Sequence, residues 1–72
     1  MTNIAALTER EVKTVKQFND AKIACKLMAM GMLPGSIIKV MRKAPLNGGF
    51  YLKVNGHGMA LRVNEAASVI VE

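Results

Sequence analysis

Asn55-Gly56 stands between two runs of strand-forming residues, Phe50–Val54 and residues 57–63, and this pattern constrains the fold of the 72-residue chain more tightly than any other. Both turn residues accept positive φ, which a two-residue hairpin loop requires. A loop of that length pairs Val54 with His57, Leu52 with Met59, and Phe50 with Leu61. Side chains alternate along a strand, so the members of each pair share a face, and that face is almost wholly apolar. Tyr51, Lys53, Gly58, Ala60 and Arg62 fall on the other face. A slip of one residue would mix the two sets, so the register is strongly specified.

The remaining chain supplies the elements that such a hairpin needs around it. Residues 11–18 carry Val12, Val15 and Phe18 among polar residues and read as a strand. Residues 20–30 hold good helix formers with no Gly or Pro, and Asn19 or Asp20 can cap the first turn. Ile23, Leu27 and Met30 fall at helical spacing and form the expected apolar stripe. Gly31 then offers the left-handed residue on which many helices end. Leu33-Pro34-Gly35-Ser36 reads as a type II turn. Residues 36–43 form the next strand, residues 44–49 a loop, Asn64-Glu65-Ala66 a short helical turn, and residues 68–71 a closing strand. Five short strands with tight turns and one inserted helix predict a mostly β fold, a small closed or partly closed barrel in which few edges stay unpaired. With no repeat or linker, residues 1–72 read as a single domain.

The chemistry the chain can perform is limited by what it lacks. It has one His, one Cys and one Asp. Catalysis and metal binding need a second positioned group, so His57 beside the hairpin turn is expected to be a partly exposed turn residue. Cys25 sits mid-helix among apolar neighbours and is expected to pack as a small hydrophobe. Met28, Met30 and Met32 alternate, but residues two apart do not face each other on a helix, so a thioether copper site is not expected. No Gly-rich phosphate cradle follows a strand. These readings exclude an enzyme and require no cofactor. A lone cysteine argues for a reducing compartment, no leader is read at residues 1–7, and no apolar run approaches membrane-spanning length, so a cytoplasmic protein is expected. Ten Lys and Arg against five Asp and Glu give a net charge of +5, which favours anionic partners.

Residues 30–46, MGMLPGSIIKVMRKAPL, followed at a distance by VNGHGMALRVNEAASVIV, resemble the FeoA family of ferrous iron transport accessory proteins. Leu27 and Met30 before Gly31, Leu33-Pro34-Gly35, Ala44-Pro45-Leu46, Ala60-Leu61-Arg62 and Glu65-Ala66 carry the likeness in order. The family often writes Gly-Asp-Pro after Ala-Pro-Leu, where this chain has Asn47-Gly48-Gly49. The resemblance implies an SH3-like barrel with an inserted helix. It also implies a cytoplasmic accessory protein that binds the FeoB-type membrane transporter, which has a cytoplasmic GTP-binding domain. The same domain occurs at the C-terminus of metal-dependent repressors, but this chain carries no DNA-binding helix-turn-helix.

Three kinds of partner therefore compete. For a transporter, the expected docking surface is the helix and the turn after it: Leu27, Met28, Met30, Met32 and Leu33, since this apolar run exceeds a single buried stripe. For nucleic acid, Tyr51 beside Lys53 and Arg62 is the one clear stacking platform, which is weak for a small basic barrel. For self-association, Ile37, Met41 and Tyr51 would lie on the face opposite Ile38 and Val40.

Overall fold

The hairpin forms in the register that the alternation requires. In the computed structural model, which describes residues 2–72, β4 (Phe50–Val54) and β5 (His57–Leu61) pair antiparallel with Val54 opposite His57, Leu52 opposite Met59 and Phe50 opposite Leu61. Asn55 and Gly56 adopt φ of 48° and 87° at the turn. Phe50, Leu52, Val54, Met59 and Leu61 are buried, and Tyr51, Lys53, Gly58 and Ala60 are exposed.

The other expected elements are β2 (Val12–Phe18), α1 (Ala21–Ala29), β3 (Ile37–Lys43), α2 (Val63–Ala67) and β6 (Val69–Val71). Two elements were not expected: a short β1 (Thr2–Asn3), whose Thr2 pairs with Val71, and a 3-10 turn at Ile4–Ala6. Ile4 and Leu7 are fully buried. Their spacing of three residues matches the period of a 3-10 helix, so both point to one side.

β2 joins the two parts of the sheet. Its first half pairs with β3, Val12 opposite Lys39 and Thr14 opposite Ile37. Its second half pairs with β6, Val15 opposite Val71 and Phe18 opposite Val69, with a bulge between Val15 and Gln17. A bulge bends its strand and increases the twist. Val15, Ile38, Leu52, Leu61 and Val69 consequently reach one core together with Ile4, Leu27 and Met32. The sheet wraps around that core in the order β1-β6-β2-β3-β4-β5 and does not close, which is the partly closed form of the expected barrel. β1 and β5 remain edges because no hydrogen-bonded ladder joins them.

A small polar network fastens the hairpin turn to the turn after α1. Ser36 N–H donates to the Leu33 carbonyl at 2.9 Å, with Gly35 at φ 94°, as a type II turn requires. The buried Ser36 Oγ accepts from Leu33 N–H at 2.9 Å and from Asn55 Nδ2 at 3.3 Å. Asn55 Oδ1 in turn accepts from Ile37 N–H at 2.9 Å. Asn55 thus serves both the backbone of its own turn and the start of β3. Ser36→Ala leaves the Leu33 and Asn55 donors without their acceptor and should cost about 1–3 kcal/mol in urea unfolding; an unchanged midpoint would show that solvent replaces the hydroxyl.

Candidate functional site

The candidate site is built where α1 stops. Asp20 caps the helix, its carboxylate accepting from Ile23 N–H at 2.9 Å. A helix of nine residues is too short to persist alone. Its stability comes from burying Ala24 and Leu27 and from an ion pair between Lys26 Nζ and the Glu65 carboxylate of α2.

At the other end Met30 is the last residue with right-handed dihedrals, and Gly31 follows at φ 102°. Met32 N–H donates to the Leu27 carbonyl at 2.9 Å, and Gly31 N–H donates to the Met28 carbonyl at 3.0 Å. This pair of bonds is the Schellman arrangement, which usually places an apolar contact between the residues that the longer bond joins. Here those residues are Leu27 and Met32, and both are fully buried in the core. The chain then continues into the turn 33–36, which β2 holds from both sides: Gly35 N–H donates to the Val15 carbonyl, and Val15 N–H to the Ser36 carbonyl, each at 2.8 Å.

The expected docking residues therefore separate. Leu27 and Met32 leave the candidate surface, because the helix stop turns them inward. Met28, Met30 and Leu33 remain outside, 39%, 49% and 50% exposed. The expected stripe is corrected as well: Ala24 and Leu27 form it with half-buried Ile23, whereas Met30 lies at the cap and faces out. Cys25 is exposed rather than packed, since it follows buried Ala24 by a ~100° step around the helix. His57 is exposed at the hairpin, as expected. Among the described residues no group of three His, Cys, Asp or Glu side chains could hold a metal ion, and no helix is long and apolar enough to cross a membrane.

Two features escaped the sequence reading. Leu46 in the β3–β4 loop is 98% exposed at φ 58°, and only its place in Ala44-Pro45-Leu46 marked it. Glu65 is buried at the start of α2. Its partner Lys26 lies 39 residues away in the chain, but its second bond, accepted from Arg62 N–H at 2.8 Å, is the local reach-back of a helix N-terminus. The hydrogen bond from Lys26, and then that from the Arg62 backbone, hold the Glu65 carboxyl below the usual carboxylate range.

A carboxyl with a lowered folded-state pKa takes up a proton less readily than in the unfolded chain. The stability it contributes is complete above the ordinary range of about pH 4–5 and is lost as pH falls through its folded value. Glu65→Gln should accordingly flatten the decline in stability on acidification below about pH 5, measured as thermal midpoint against pH. An identical decline in both proteins would mean that the ion pair contributes nothing. Gly31→Ala meets no atom within 4 Å but forces a Cβ into positive φ, and should lower stability by about 1–2 kcal/mol.

The comparisons with known proteins bear on this geometry. The family model described as the FeoA domain matches residues 2–72. Curated proteins give no match. Among solved structures, the FeoA protein of Chlorobium tepidum is 26% identical with a TM-score of 0.89, covering 99% of this chain and 69% of that one. Stenotrophomonas maltophilia FeoA, solved with zinc and described as a prokaryotic SH3 domain protein, is 25% identical with a TM-score of 0.85, covering 100% and 91%. A manganese-dependent transcriptional repressor in complex with manganese shares the fold alone, at 18% identity and a TM-score of 0.91, with this chain spanning 35% of its length. The open six-stranded sheet with its inserted helix is thus SH3-like.

Proposed function

This chain belongs to the FeoA family, associated with ferrous iron transport, and from that premise we propose that it is a non-catalytic accessory protein that binds the FeoB-type transporter through the end of α1 and the turn that follows. In this reading it works in the cytoplasm, at the inner face of the membrane through its partner. The carrying observation is the separation made at Gly31. Leu27 and Met32 clamp the helix end to the core, and Met28, Met30 and Leu33 are presented outward beside a turn whose Gly35 and Ser36 backbone is bonded to Val15 of β2.

The chemistry of that surface suits protein contact. Met28, Met30 and Leu33 each offer exposed apolar area, and unbranched thioether side chains adapt to a partner's relief. Fixed backbone beneath adaptable side chains keeps the ordering cost of binding low. The S. maltophilia relative has been put forward as a ferrous iron transport activating factor, which agrees with a regulatory part in uptake.

The test is affinity for detergent-solubilised FeoB-type transporter. Met28→Glu with Met30→Glu should weaken binding by at least about tenfold, or about 1.4 kcal/mol. Thermal stability should stay near that of the parent, since both side chains are exposed. Undiminished binding by a folded double variant would remove this surface from the interface. Met32→Glu cannot serve as the test, because it places a charge in the core and would unfold the domain.

A further inference from the structure

The outer face of the sheet carries a second surface, remote in sequence from the helix end. Val12, Ile37, Lys39, Lys53, Asn55 and Gly56 line an open groove of about 390 Å³. Val12 and Ile37, the first residues of β2 and β3, are each 55% exposed. Lys39 on β3 stands directly opposite Lys53 on β4. Like charges paired across strands disfavour the sheet that carries them.

Among the described residues no carboxylate forms an ion pair with either lysine. Among the described residues the one ion pair is Lys26–Glu65, away from this face, and no carboxylate lines the groove. Glu11 neighbours Val12, but its carboxylate accepts from the Thr8 N–H and hydroxyl at 2.8 and 3.0 Å. Glu72 pairs with Thr14 through the backbone, one strand beyond Ile37. The Asn55 side chain is spent on Ile37 N–H and Ser36 Oγ, so it offers little to orient a polar ligand. The groove thus presents aliphatic walls and two uncompensated ammonium groups.

We infer that this groove binds an acidic, aliphatic segment of a partner protein, with a carboxylate between Lys39 and Lys53 and an apolar side chain against Val12 and Ile37. A second copy of this chain would bring the same lysines face to face across a two-fold axis, which opposes self-association here. A nucleic acid would require more stacking surface than the single nearby aromatic, Tyr51, supplies. A membrane surface likewise calls for a cluster of four or more basic residues, roughly. The inference does not rest on the docking surface at the end of α1, and either can fail alone.

The test uses the ¹⁵N-labelled full chain and a capped synthetic peptide, Leu-Glu-Ile-Glu-Leu-Asp, with a control in which lysine replaces each acid. The acidic peptide should shift the amides of Ile37, Lys39, Lys53 and Gly56, and its affinity should fall about tenfold on Lys39→Glu with Lys53→Glu. Ile37→Ser should weaken it several-fold without changing the charge, and both variants should keep the parent's dispersed spectrum. Absence of shifts, or equal shifts from the lysine peptide, would overturn the proposal. Tighter binding of oligothymidine or of phosphatidylglycerol vesicles to the same residues would overturn it in favour of nucleic acid or lipid. Shifts at these residues that grow with protein concentration alone would overturn it in favour of a second copy.

Discussion

The helix stop at Gly31 is the constraint on which the exposed surface of α1 depends. A residue at φ 102° lets the chain leave the helix axis within one peptide, so that Met32 N–H can reach back to the Leu27 carbonyl. That bond and the burial of Leu27 beside Met32 are two aspects of one arrangement. Were the helix to continue through position 31, Met32 would move around the axis and the turn 33–36 would lose its attachment to Val15. The backbone bonds at one glycine therefore decide which apolar side chains build the core and which face solvent.

Around that stop the fold uses few polar interactions, each placed where backbone or charge would otherwise be stranded. Asp20 caps the start of α1, and Ser36 and Asn55 join two turns distant in sequence. Glu65 satisfies the N-terminus of α2 and draws Lys26 of α1 toward it. Among the described residues the other lysines form no ion pair. That division gives two proposed surfaces of different character: an apolar one at the end of α1, and an aliphatic, cationic one across β2, β3 and β4.

Legibility in the sequence followed the range of the interaction. The hairpin was readable because Asn55-Gly56 and the alternation beside it fix each other locally, and its register holds through all three pairs named. The helix, its Asp20 cap and its stop at Gly31 were readable for the same reason. Ile4 and Leu7 were missed because their only signal is a spacing of three in a short N-terminal run, and their burial depends on β6 being nearby. Closed and partly closed forms are both compatible with the sequence, because closure depends on where the ends of distant strands come to lie. Within the candidate surface the chain shows five large apolar residues among the seven positions 27–33. Only the Schellman bonds tell that Leu27 and Met32 point in, while Met28, Met30 and Leu33 point out.

The methionines provide the most direct test of the central claim, because they sample every environment at issue. With ¹³C-methyl methionine in the chain and unlabelled transporter of the FeoB type in detergent, the methyl signals of Met28 and Met30 should broaden or shift on complex formation. Those of Met32 and Met59, buried in the core, and of Met41, on the outer sheet face, should change far less. A response confined to Met41, or spread evenly over all of them, would contradict docking through the end of α1.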